Sequence, residues 1–81
     1  MKVEIFSYDG IKYQSDAESL NVQTHSGEIT ILDHHHPLIT ILKKGKAIIA
    51  HQGDRLEFDV EAGFLEMNAQ NELTLLINKE H

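Results

Sequence analysis

Turn-forming residues punctuate this chain at short, regular intervals, and that punctuation limits its fold more than any other feature. They stand at Tyr8-Asp9-Gly10, His25-Ser26-Gly27, 33–37, Lys43-Lys44-Gly45, Gln52-Gly53-Asp54, Gly63 and 68–71. Short runs rich in Ile, Val, Leu, Phe and Thr lie between them. Turns about every eight to twelve residues, around β-branched runs, specify an all-β sandwich or barrel. Within the runs, apolar and polar residues alternate. "RLEFDVE" places Leu56, Phe58 and Val60 on one face and Arg55, Glu57, Asp59 and Glu61 on the other, the period-two pattern of a half-buried strand. The same rule groups Val3 with Ile5, Ile11 with Tyr13, Leu20 with Val22, Ile29 with Ile31, and Leu73 with Leu75 and Ile77.

Two runs break the alternation. "LITIL" and "AIIA" are apolar on both faces, so they read either as central strands or as strands covered by a partner. The last stretch, "AQNELTLLINKEH", could also be drawn as a short amphipathic helix capped by Asn71. The strict alternation of Leu73, Thr74 and Leu75, after an Asn-rich turn, favours a strand. No linker, repeat or low-complexity segment interrupts the chain, so a single domain over residues 1–81 is expected.

Size and charge narrow the function. An 81-residue domain has a modest core and little material to wall a deep active site. Without cysteine there is no disulfide framework and no thiolate metal site. A net charge of −6 argues against nucleic acid, which needs clustered Lys and Arg, and against an anionic membrane surface. "MKVEIFSYDG" lacks the apolar stretch of a signal peptide. No apolar run is long enough to span a bilayer. A cytoplasmic protein with no direct membrane insertion is expected, free to dock on a membrane-bound partner.

The chemistry-bearing residues are sparse. Of six histidines, three are consecutive in "DHHHPLITIL". His34 and His36 could share one face of an extended segment, but two ligands fall short of a metal site. His25 or His51 would have to approach, and nothing in the sequence requires it. No nucleophile-elbow pattern surrounds Ser7, Ser15, Ser19 or Ser26. "LKKGK" lacks the glycine spacing and hydroxyl residue of a phosphate loop and reads as a charged hairpin turn. No catalytic residue, metal ligand or cofactor is assigned.

The run "GEITILDHHHPLITILKKG" carries a resemblance. It is similar to the G-E-[LI]-G-[IV]-L-x-G-H-A-P-L-[LIV]-T-x-[IL]-K-P-G run of the epsilon subunit of F-type ATP synthase, within its N-terminal β-sandwich domain. The opening "KVEIFSYDGIKYQSDAESLNVQT" and the closing "EFDVEAGFLEMNAQNELTLLIN" resemble that family's flanking patterns, so the likeness covers nearly the whole chain. There are departures. His35 stands in place of the family histidine, and the Gly before it and the Ala after it are His34 and His36. The family's K-P-G is Lys43-Lys44-Gly45. Most bacterial members continue into two C-terminal helices, and this sequence resembles a short form that stops where the sandwich would end.

The resemblance implies a flattened β-sandwich of about ten short strands in two sheets. It implies a non-catalytic central-stalk subunit that links the gamma subunit to the c-ring and transmits rotation for ATP synthesis. Such a subunit would sit at the cytoplasmic face of the bacterial inner membrane. It points to His35, Pro37, Leu38 and Thr40 as facing gamma, and to Gly27 and Glu28 as facing the c-ring. Glu28 otherwise reads as an exposed turn carboxylate. The alternative to the rotor reading is a stand-alone small β-sandwich that binds a ligand or metal through its histidines.

Overall fold

A computed structural model describes residues 1–78 of the chain. The strands are β1 (Lys2–Ser7), β2 (Gly10–Asp16), β3 (Ser19–Thr24), β4 (Gly27–Leu32), β5 (Leu38–Leu42), β6 (Gly45–His51), β7 (Asp54–Val60), β8 (Ala62–Met67) and β9 (Glu72–Asn78). The expected all-β sandwich is present, with nine strands among the described residues where about ten were expected. The final run is a strand through Asn78, and the helical alternative for it fails over the described part.

The hydrogen-bonded path runs β2-β1-β9-β8-β5-β3-β6-β7, with β4 on β3. It folds over where β5 meets β3 through a single residue pair, Thr24 with Leu42. That corner divides the path into two layers: β2-β1-β9-β8-β5, called sheet I here, and β4-β3-β6-β7, sheet II. The chain crosses between the layers at Lys43-Lys44-Gly45, where β5 ends and β6 begins. Gly45 fits there because a Cβ would stand 2.8 Å from Gln23 Cγ. All neighbours are antiparallel except β1 and β9, which lie parallel, with Val3 opposite Leu73 and Ile5 opposite Leu75.

Burial follows the period-two pattern. Val3, Ile5, Leu65, Leu73 and Leu75 from sheet I meet Leu20, Val22, Ile31 and Ile49 from sheet II, all at most 1% exposed. On β7, Val60 is buried, Phe58 is half-buried and Leu56 nearer the strand's start is exposed. One grouping fails. Tyr13 pairs with Ile5, but a bulge between Ile5 and Phe6 shifts the register, so that Ile11 falls opposite Phe6. The extra residue turns Ile11 to the outside, where it is 57% exposed. Among the described residues β2 and β7 end the path, and a side-chain contact links them: the rings of Tyr13 and Phe58 meet edge-on, with centroids 6.1 Å apart.

Candidate functional site

The two sheets present different outer faces. Sheet II is mainly polar outside, with Leu32 as an exposed exception: Asn21 Nδ2 donates to Thr30 Oγ1 at 2.8 Å, and Lys46 Nζ donates to Asp59 Oδ1 at 2.7 Å. Sheet I carries a row of apolar side chains that crosses all five of its strands. Ile41 pairs with Phe64, Phe64 with Leu76, Leu76 with Phe6, and Phe6 with Ile11. Ile41, Phe64, Leu76 and Phe6 each follow or precede a buried residue on their own strand, which directs them outward, and the bulge turns Ile11 the same way. Ile41, Phe64, Leu76 and Ile11 are 54–57% exposed. At the usual strand spacing the row is roughly 19 Å long. Beside it Ile39, at 75%, helps line a shallow depression of about 240 Å³ with Phe64, Glu66, Thr74 and Leu76. Contiguous exposed apolar surface of this kind marks an interaction site.

Leu38 and Thr40 are placed differently from an outward-facing pair. They are half-buried, and Leu38 packs against the core. Strand alternation makes the reason plain: Leu42 enters the core, so Leu38 and Thr40 share its side, and β5 presents Ile39 and Ile41 outward. The two-faced character of "LITIL" therefore reflects one face in the core and one in the exposed row.

The loops that carry the other candidate residues lie at opposite ends of the sandwich, because β4 spans from Gly27 to the turn at 33–37. At the first end, Gly27 and Glu28 are exposed, and Gly27 adopts φ 114. This turn is held by Thr24, the one buried polar residue among those described. Its Oγ1 donates to the Gly27 carbonyl at 2.7 Å and accepts the Ser26 N–H at 3.1 Å.

At the second end, His35 is half-buried and Pro37 exposed. His35 Nδ1 donates to the His36 carbonyl at 2.7 Å, and the two rings meet edge-on at 6.4 Å. Asp33 Oδ1 accepts from the Met1 ammonium at 2.7 Å and from Asn71 Nδ2 at 2.7 Å. The ammonium first, then the Asn71 amide, hold the Asp33 carboxyl below its ordinary range. Nearby, Glu18 Oε1 accepts the Gln52 N–H at 2.7 Å, and Oε2 meets His51 Nδ1 at 3.0 Å. The Gln52 bond, then that of His51, lower the Glu18 pKa.

Among the described residues no three His, Asp or Glu side chains converge in a way that could hold a metal ion. His25 lies at the first end of the sandwich, away from His34, His35, His36 and His51. No helix of the described residues is long and apolar enough to cross a membrane.

The exposed row has a sequence signal that alternation alone passes over. Ile5-Phe6, Ile41-Leu42, Phe64-Leu65 and Leu75-Leu76 are adjacent apolar pairs inside strands. Each pair sends one member inward and one outward, and the registers bring the outward members into line.

The structure is thus a sandwich with an apolar row on the outer face of sheet I and tight turns at both ends. The family described as "ATP synthase, Delta/Epsilon chain, beta-sandwich domain" matches residues 1–79. The chain belongs to that family. It is 36% identical over 76 residues to the ATP synthase epsilon chain of Bacillus pumilus, covering 94% of this chain and 57% of the relative. It is 37% identical over 75 residues to the epsilon chain of Aquifex aeolicus, covering 93% and 56%. The chain thus spans little more than half the length of these relatives. Two solved assemblies contain the same fold. One is the mitochondrial ATP synthase of Euglena gracilis (OSCP/F1/c-ring), with TM-score 0.86 and 16% identity over 93% of this chain and 48% of that one. The other is the central stalk/c-ring of the Tetrahymena thermophila mitochondrial ATP synthase, with TM-score 0.83 and 14% identity over 95% and 62%.

Proposed function

We propose that this chain is a non-catalytic central-stalk subunit of a proton-translocating F-type ATP synthase. It joins the gamma subunit to the c-ring and carries rotation between them, at the cytoplasmic face of the bacterial inner membrane. The observation that carries the reading is the five-strand apolar row Ile41, Phe64, Leu76, Phe6 and Ile11 on sheet I. Gamma covers this face, with Ile39 beside the row and the His35 and Pro37 turn at its β5 end; Leu38 and Thr40 support it from beneath. Gly27 and Glu28, at the opposite end, face the c-ring. Torque transfer needs a stiff body bound at two places, and a sandwich with short turns and separate docking regions suits it. Family membership supports the reading, as does the occurrence of this fold in ATP synthase central stalks.

Co-purification with the cognate gamma subunit tests it. Truncating one anchor of the row should cost about 1–3 kcal/mol of association. A charge costs more, because it is desolvated without a partner. Ile41→Asp should therefore abolish co-purification while circular dichroism stays β-rich. Thr30→Asp, on the outer face of sheet II, should leave gamma bound. Wild-type protein that never binds gamma overturns the proposal, as does retention by Ile41→Asp.

A further inference from the structure

The turn at 33–37 holds a non-glycine residue, His34, at a left-handed φ. His34 sits at φ 62, a left-handed region that is uncommon for residues other than glycine, although Asn, Asp and His enter it more readily than the rest. The His35 N–H donates to the Leu32 carbonyl at 3.1 Å, closing a four-residue turn with His34 at its third position. A positive φ at that position calls for Gly or Asn. The His34 imidazole offers little compensation: it is 78% exposed, and its Nε2 lies 3.7 Å from Asp33 Oδ2.

The compensation comes from the turn between β8 and β9. Asn71 accepts the His34 N–H on Oδ1 at 2.7 Å and donates from Nδ2 to Asp33 Oδ1 at 2.7 Å. One side-chain amide thus grips two consecutive residues of the other turn. Asn71 is itself fixed. Its φ is 62, which asparagine tolerates, and its carbonyl accepts the Lys2 N–H at 3.2 Å. Asn68 Oδ1 ties the same turn by accepting the Gln70 N–H at 2.9 Å and the Glu72 N–H at 3.0 Å. Beyond His34 the path has little freedom, because Pro37 confines His36 to extended backbone.

We propose that Asn71 is the positioning residue of the 33–37 turn: its amide holds His34 in the left-handed conformation and so sets the direction in which His35 and Pro37 meet a partner. The partner half of this statement rests on the central-stalk reading above. The conformational half stands on the geometry alone.

Four proteins separate the two: wild type, Asn71→Gly, His34→Gly and the double variant. Asn71→Gly removes the amide and keeps the backbone freedom at 71. His34→Gly removes the need for the clamp. The readouts are the φ of residue 34, from backbone chemical shifts, and affinity for purified gamma by calorimetry. Asn71→Gly alone should move His34 out of positive φ and weaken gamma binding about three- to tenfold, the net worth of a hydrogen bond. In the His34→Gly background the same change should alter affinity by less than about twofold. A general structural role for Asn71 would weaken both backgrounds equally, and equal losses overturn the proposal. If wild-type protein does not bind gamma, the central-stalk reading falls and the φ measurement decides. A positive φ retained at His34 in Asn71→Gly then overturns the positioning role, and its loss upholds it.

Discussion

A Cβ built on Gly63 would stand 2.1 Å from the carbonyl oxygen of Leu76 and 3.0 Å from Ile77 Cα. Gly63 lies opposite Ile77 in the β8–β9 ladder and opposite Leu42 in the β5–β8 ladder. Its missing side chain therefore lets β9 approach beside the outward apolar row. The obstacle is backbone, which cannot rotate away as a side chain would. Gly63→Ala should destabilise the protein by about 2–4 kcal/mol, in the range of strained or overpacked sites. Gly53→Ala should cost about 1 kcal/mol, because φ is 84 there but nothing lies within 4 Å of the new Cβ. Equal denaturation midpoints for the two variants would refute this ranking.

Phe58 and Tyr13 meet at a side of the sandwich that no ladder among the described residues closes. Phe58 is half-buried and meets Tyr13 edge-on at 6.1 Å, while the Tyr13 hydroxyl donates to the Asp16 carbonyl at 2.8 Å. Phe58→Ala should cost about 1–3 kcal/mol, less than for a fully buried ring. Urea unfolding should show a lower midpoint with little change of slope. Phe58→Leu should recover part of the loss.

Glu18 links stability to acid. Its pKa is lowered in the folded chain, chiefly by the Gln52 N–H and next by His51. A lowered carboxylate contributes stability above its unfolded pKa, and that contribution disappears as pH falls through the folded value. The window therefore opens near pH 4.5, the ordinary value for glutamate, and extends below it. Asp9 and Asp33 shift in the same direction, so the whole chain should lose stability on that limb. Glu18→Gln should make the limb shallower as the pH falls below the ordinary glutamate value of 4.5. Unfolding midpoints measured across that range check it, and an unchanged limb would remove Glu18 from the account.

Zinc titration near neutral pH should detect no stoichiometric site tighter than micromolar. His35 Nδ1 is engaged with the His36 carbonyl, and His34 stands open to solvent beside a single carboxylate. A structural zinc site takes four ligands, and a catalytic one three plus water. Tight one-to-one binding that is lost in His34→Ala/His36→Ala would show that the turn gathers ligands in solution.

Much of this molecule is legible in its sequence. Turn residues and β-branched runs mark the strands, and period two marks the core side of β1, β3, β4, β7 and β9, because a strand must send successive side chains to opposite faces. Ile11 escaped that rule, since a bulge is set by how β2 meets β1 and leaves no local trace in "IKY". Leu38 and Thr40 show a second limit. The sequence tells that "LITIL" is apolar on both faces, but which face meets the core depends on where β5 pairs.

What the sequence by itself determined is the strand pattern, the family, and the turns that carry His35, Pro37, Gly27 and Glu28. Only the tertiary structure decided the registers, and with them the alignment of Ile41, Phe64, Leu76, Phe6 and Ile11, drawn from strands up to 70 residues apart in number between Phe6 and Leu76. It alone also placed Asn71 against Asp33 and His34, 38 and 37 positions away. The physical reason is the same in both cases. Periodicity is a local property of one strand, whereas register and turn-to-turn contacts are set by how separate strands share hydrogen bonds and a single core.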